Sequence, residues 1–190
     1  MKYAFCGGKL LDGTREMQPR EGLVLRTDGD RITDIVPEGT DLTGYEVVDL
    51  KGGYLMPGLI NMHVHLAGSG KPQKKQRDNE KLVKTILSTG LTRKVAYGMV
   101  AGFAKEELFS GVTTIRTVGG VADFDTIIRD QAAAGAILSP RVVASNMAVS
   151  VPGGHMAGSL AYEARTPEEA AACVEKIAAE KPDLIKLMIT

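Results

Sequence analysis

The rhythm of the chain changes at residue 57, and that change limits the folds open to it. Before it, short runs rich in β-branched and aromatic residues (KYAF, EGLVLR, RITDIVP, YEVVDL) are separated by turn residues at Asp12-Gly13, Asp28-Gly29 and Lys51-Gly52-Gly53. This is the pattern of a small β unit. LRTDGDRITDI reads as a hairpin closed by Asp28-Gly29-Asp30. Ile32 and Ile35 fall out of phase with strict alternation, which predicts a bulge or a short strand.

After residue 57, strand-like and helix-like segments alternate. Leu59 to Leu66 is the first strand, followed by a Gly- and Lys-rich loop to about Asn79. A helix over about Thr92 to Ser110 carries Val95, Met99 and Phe103 on one stripe, and Gly111 ends it. Val112 to Val118 is the second strand. Asp123 caps a helix reaching Ala134, with Phe124, Ile127 and Ile128 inward and Gly135 as its stop. Arg141 to Ala144 is the third strand. Beyond the loop SVPGGHMAGS, Thr166, Pro167 and Glu169 form a capping-box start, and Ala170, Val174, Ile177 and Ala178 are the buried side. Leu184 to Ile189 is the fourth strand.

Four such repeats predict an α/β chain with parallel βα architecture. The expected fold is a partial (β/α)8 TIM barrel of about four βα units over 57–190, preceded by a small β-sandwich portion over 1–56. A closed barrel takes about 250 residues. Four strands alone would leave an open edge and an uncovered interior, an invitation to self-association or a sign of a longer protein.

Composition excludes several functions. Lys plus Arg and Asp plus Glu each number 23, so no long-range attraction to nucleic acid or an anionic membrane is implied. The basic run from Lys71 to Arg77 lacks interleaved aromatics and is followed by Asp78 and Glu80, which reads as a solvated loop and not a nucleic-acid site. Cys6 and Cys173 match no zinc or disulfide spacing. No signal-like h-region opens the chain, and no apolar run is long enough to span a bilayer, so the cytoplasm is the expected compartment. Phosphate-cradling, dinucleotide and nucleophile-elbow motifs are missing from the sequence.

The chemistry concentrates in a few residues. His63 and His65, two apart in LMPGLINMHVHLAG, share one face of a strand with Asn61. Imidazoles so placed suit Zn²⁺, Co²⁺ or Fe²⁺, or simply face solvent or a polar core. Lys186, between Ile185 and Leu187, either snorkels, pairs with a carboxylate, or takes up carbon dioxide to give a metal-ligating carbamate. His155, in PGGHMAG, is either a hydrogen-bond donor to a substrate oxygen or an exposed loop histidine. Arg116 is a candidate for a substrate carboxylate or for a structural ion pair.

Four segments in order resemble the N-terminal part of the amidohydrolase superfamily, in its imidazolonepropionase-like and Xaa-Pro dipeptidase-like branch: VVDLKGGYLMPGLINMHVHL, GVTTIRTVGG, SPRVVAS leading to PGGHMAG, and PDLIKLMIT. The resemblance covers nearly the whole chain. It implies that 1–56 is the N-terminal part of a composite β-sandwich and 57–190 the first half of a metal-dependent hydrolase barrel. It further implies His63 and His65 as first-strand metal ligands, and Lys186 as a carboxylated lysine bridging two metals. His155 would lie near substrate, with Arg116 and Tyr162 as neighbours. The implied activity is metal-dependent hydrolysis of a carbon–nitrogen bond in a small-molecule amide, cyclic amide or Xaa-Pro-type dipeptide, with one or two divalent ions, zinc in the first instance. Two further ligand histidines and an aspartate proton shuttle of such enzymes have no match here. The chain therefore reads as truncated, with weak metal affinity and little or no hydrolysis expected of it alone. The alternative is a catalytically inactive fragment, or a half-barrel serving as a binding or assembly module.

Overall fold

Strand pairing starts where the sequence supplies a tight turn. In the computed structural model, which describes residues 1–68, 70 and 78–189, Gly29 takes a left-handed φ of +59° and closes a hairpin. The chain divides into two compact units, Met1–Pro57 and Gly58–Thr190.

The first unit contains β1 (Lys2–Cys6), β2 (Lys9–Leu10), β3 (Leu23–Asp28), β4 (Arg31–Pro37), β5 (Glu46–Asp49) and β6 (Tyr54–Leu55). Its main sheet has the order β4-β3-β1-β5, while β2 and β6 pair separately in parallel. The β3–β4 pairing shifts register between Arg26 and Thr27, the irregularity that Ile32 and Ile35 predict. Across it Arg26 Nε donates to Asp34 Oδ1 at 2.7 Å, holding the Asp34 carboxyl below its usual range. Ala4, Leu10 and Val24 are buried, whereas Ile32 is 65% exposed. The apolar core of this unit is thin.

The second unit begins with β7 (Leu59–Val64), α1 (Asn79–Ile86), α2 (Gly90–Phe109), β8 (Val112–Thr117), α3 (Phe124–Ala133) and β9 (Arg141–Val143). It continues with β10 (Ala148–Ser150), β11 (Ala161–Glu163), α4 (Pro167–Ala178) and β12 (Leu187–Met188). Strands β7, β8 and β9 are parallel in that order, and β10 pairs in parallel with both β11 and β12. The Asp183 and Leu184 N–H groups donate to the Ala144 carbonyl at 2.8 and 3.3 Å. The stretch leading into β12 therefore lies beside the chain running from β9 to β10. The result is an α/β fold with mixed sheets and four helices among the described residues, its parallel crossings in chain order as in part of a barrel. Among these residues no sheet closes on itself.

Several local expectations need correction. The stretch Asn79–Ile86 is helical: Asp78 Oδ1 accepts from the Lys81 N–H at 2.9 Å, and Lys84 pairs with Glu80 one turn away. In α2 the buried stripe is Ala96, Val100 and Ala104, while Val95 and Met99 are exposed. Small side chains let the helix axis approach β8 closely, so the larger ones one position back point outward. Asp123 starts α3 without a side-chain cap bond, because its carboxylate pairs with Arg93. In α4 the Thr166 hydroxyl accepts from Glu169 N–H at 3.2 Å, but the Glu169 carboxylate accepts from Arg165 N–H at 2.6 Å, one residue before the cap. Ile177 is buried and Ala178 exposed. The supposed loop after β9 contains β10 and β11, and the last strand is only two residues long. The basic run Lys71 to Arg77 lies outside the described residues. No helix among the described residues is long and apolar enough to cross a membrane.

The main core of this unit gathers Val64 and Leu66 from the β7 end, Ile115 from β8, Phe124 and Ile128 from α3, and the small stripe of α2. Ile115 is fully buried. Substituting Ile115→Ala is expected to lower stability by about 2–5 kcal/mol, the usual cost of emptying such a site. Urea titration would show this as a lower midpoint with an unchanged slope.

Candidate functional site

A cavity of about 620 Å³ is lined by Asn61, His63 and His65, by Val64 and Leu66 of the opposite phase, and by Glu106, Glu107 and Met156. The two imidazole centroids are 5.3 Å apart with the rings inclined at 68°. Asn61 Oδ1 accepts from the His63 N–H at 3.2 Å, tightening the strand just before the pair.

Each imidazole is conditioned differently. His65 Nδ1 lies 2.9 Å from the Gly119 carbonyl oxygen. A carbonyl can only accept, so Nδ1 carries the hydrogen and the Nε2 lone pair is left for another partner. The His63 ring is exposed, yet its pKa lies below the ordinary 6.5, first through loss of water contact and then through His65, Lys186, Arg116 and His155. Charges from three other segments thus converge on this ring, and they favour its neutral form.

Lys186 is half-buried immediately before β12, not within it, and its carbonyl accepts from Val149 N–H at 3.0 Å. Arg116 donates through Nε to the Met62 carbonyl at 2.9 Å, bracing β8 to β7. Among the described residues no ion pair includes Lys186 or Arg116, so the structural ion pair expected of Arg116 is not found there and its bond is to the main chain. His155 is exposed in the glycine-rich turn. Tyr162 packs with the Met147–Ile177 cluster on the α4 side, where Lys176 Nζ lies 4.2 Å from its ring centroid.

The donor chemistry fits a divalent cation at its imidazole half, with one Nε2 lone pair freed by a main-chain bond and a second ring kept neutral. As an ammonium Lys186 has no lone pair to offer a cation; it would have to lose its proton or become a carbamate to do so. Among the described residues no group of three or more His, Cys, Asp or Glu is arranged to hold a metal.

Beneath the site lies a feature that sequence reading missed. Asp125, in the first turn of α3, is fully buried; its Oδ2 accepts from the Asn146 N–H at 3.2 Å and its Oδ1 has no hydrogen-bond partner. Burial, outweighing the nearby Thr117 hydroxyl and the Asn146 N–H, pushes its carboxyl up to about 6. An acidic residue in a helical first turn normally reads as a solvated dipole partner. The available signal was the Gly119-Gly120 doublet, since a Cβ on Gly120 would lie 2.5 Å from both Asp125 carboxylate oxygens.

Residues 54–189 match the amidohydrolase family. Over 80 residues, 42% of this chain, the sequence is 36% identical to an adenine deaminase of Klebsiella pneumoniae, of which that match spans 12%. The crystal structure of a Bifidobacterium longum protein assigned as a prolidase superposes over 98% of this chain with a TM-score of 0.72 and 30% identity. A Xaa-Pro dipeptidase with bound methionine in its active site gives the same coverage and TM-score at 25% identity. The chain spans 40% and 47% of those two solved chains, less than half of either.

Asp125 makes stability depend on pH. The folded carboxyl titrates near 6 and the unfolded one near 3.8, so between these values the folded chain binds more protons. Its contribution to stability therefore falls as pH rises from about 4 to about 6. Asp125→Asn removes the titration, and urea midpoints across that window should move in favour of the variant relative to the parent as pH rises. A constant difference would refute the assignment.

Proposed function

Because the chain belongs to the amidohydrolase family, we propose that it supplies the first-strand half of a metal-dependent site that hydrolyses a carbon–nitrogen bond. The observation that carries this reading is the conditioned histidine pair: His65 fixed through Nδ1 by Gly119, and His63 kept neutral beside Lys186, Arg116 and His155. In the proposed site His63 and His65 hold a divalent cation, zinc in the first instance. A cation held there would polarise the scissile carbonyl and lower the pKa of water.

Lys186 takes its part as a carbamate. The ammonium first gives up one proton; the uncharged Nζ amine then adds to the carbon of carbon dioxide and loses a second, so that a cation becomes an anion. Electrostatics support this step, because Lys186 and Arg116 act on the same imidazole and neither has a carboxylate partner among the described residues. His155, exposed on its glycine-rich turn, is placed to donate to a substrate oxygen as charge develops there.

The likeness to a Xaa-Pro dipeptidase and to the Bifidobacterium protein extends over nearly the whole chain, which supports a dipeptide amide as substrate over an adenine-type amidine or a cyclic amide. In the same reading residues 1–56 belong to a composite β-sandwich, which the thin core and exposed Ile32 and Ile35 support. Residues 57–190 form the first half of a barrel, whose further strands or a second copy would cover exposed Ile60, Met62, Leu187 and Ile189. A non-catalytic binding or assembly module is the second reading. The same exposed surfaces, and the lack of a three-carboxylate-or-imidazole cluster among the described residues, favour it.

Zinc titration by chelator competition, in bicarbonate buffer with Xaa-Pro dipeptides present, separates the two. Zinc should bind weakly, His63→Ala should weaken binding at least tenfold, and a ¹³C-bicarbonate-derived carbamate signal should vanish in Lys186→Ala. Hydrolysis by this chain should be slight. No zinc binding by the parent chain would leave only the module, and two tightly held ions with turnover would show a complete ligand set.

A further inference from the structure

The peptide unit joining Gly119 to Gly120 is held on both sides. Its carbonyl faces His65 Nδ1 at 2.9 Å, and its N–H, on Gly120, donates to the Asn146 carbonyl at 2.7 Å. A trans peptide is planar, so whatever fixes one group also aims the other. The preceding N–H, on Gly119, donates to Ser145 Oγ at 2.8 Å, and Ser145 Oγ in turn donates to the Asn146 carbonyl at 3.2 Å. Asn146 has a left-handed φ of +57°, a conformation that needs support in a residue with a side chain. Its support comes from Asp125 Oδ2 on its N–H and from Thr126 N–H, which donates to Asn146 Oδ1 at 3.0 Å.

Neither glycine tolerates a side chain. A Cβ on Gly119 would lie 3.0 Å from Met188 Cε and 3.4 Å from His65 Nδ1, and Gly119 itself has a φ of +127°. On the other side a Cβ on Gly120 would run into the Asp125 carboxylate. The doublet is a thin spacer between a buried carboxylate and an imidazole.

We propose that Asp125, Asn146 and Ser145 are positioning residues that set the tautomer and ring direction of His65 through the Gly119-Gly120 peptide. Asp125 fixes Asn146, Asn146 and Ser145 fix the peptide, and the peptide carbonyl keeps the hydrogen on Nδ1. The effect on metal affinity rests on the reading of His65 as a ligand; the effect on the tautomer does not.

The test uses the whole chain, ¹⁵N-labelled and metal-free, with long-range proton–nitrogen correlation of its imidazoles. The sequence contains three histidines, so His63→Gln and His155→Gln assign the His65 signals. The parent and Asp125→Asn, which retains an acceptor oxygen, should show His65 as a single Nδ1–H tautomer. Asp125→Leu and Ser145→Ala should show both tautomers in exchange, with zinc affinity falling about tenfold or more, as loss of an outer hydrogen bond to a ligand histidine usually does. Ser145→Ala removes the Gly119 N–H acceptor and the hydroxyl's bond to the Asn146 carbonyl while leaving the Asp125 carboxylate in place, and it decides the matter alone if Asp125→Leu does not fold. A folded Ser145→Ala chain with the parent's tautomer would overturn the proposal. A shifted tautomer in a chain that binds no zinc would uphold the positioning and defeat only the metal reading.

Discussion

One hydrogen bond, from His65 Nδ1 to the Gly119 carbonyl, joins the features that give the second unit its chemical character. It links the last residue of the histidine pair to the turn that follows β8. That turn in turn rests on the chain leaving β9, since Gly120 donates to Asn146 and Gly119 to Ser145. Three successive parallel strands thus contribute to the direction of a single imidazole. A parallel sheet permits this because the ends of neighbouring strands that carry the same polarity lie side by side. Backbone groups left free where the ladder stops are then available to side chains from the next crossing.

The packing behind the sheet serves the same end. Ala96, Val100 and Ala104 let α2 lie close against the strands, and Phe124 and Ile128 of α3 fill the space on the far side of Ile115. An apolar core of this kind leaves little room for polar atoms, yet Thr117, Asp125, Ser145 and Asn146 are all buried there. Their burial carries a desolvation cost that only mutual hydrogen bonding offsets. The unpartnered Asp125 Oδ1 shows where that compensation is incomplete, and the raised carboxyl pKa is the consequence.

Much of this was legible in the sequence, for reasons that can be named. Period-two alternation put His63 and His65 on one face, and β-branched runs bounded by glycines marked β7, β8 and β9. The out-of-phase isoleucines disclosed the irregular register of β3 and β4. Helix α1 was hidden because a Gly- and Lys-rich run directly before it masks a short amphipathic segment of modest hydrophobicity. Of the expected α2 stripe Phe103 does pack against the core, but Val95 and Met99 are exposed, because close approach to a sheet selects small residues and not the largest hydrophobic ones. Asp125 and Asn146 were invisible for a different reason. Their roles depend on contacts between residues about twenty positions apart, and local pattern carries no record of such a pairing.

The electrostatics around His63 bear on how anions enter this region. Loss of water contact and then His65, Lys186, Arg116 and His155 lower the pKa of that ring. Lys186 and Arg116 have no carboxylate partner among the described residues, while Asp123 pairs with Arg93 and Asp183 with Arg129. In the proposed site two anions would offset this positive charge: a carbamate on Lys186 and the carboxylate of a dipeptide substrate. In that proposal they would not compete, because the first would be fixed to the chain and remove one positive centre, leaving Arg116 and His155 for the second. In the proposed site, a neutral His63, a carbamate on Lys186 and an anionic substrate would share one arrangement of positive groups about one strand end.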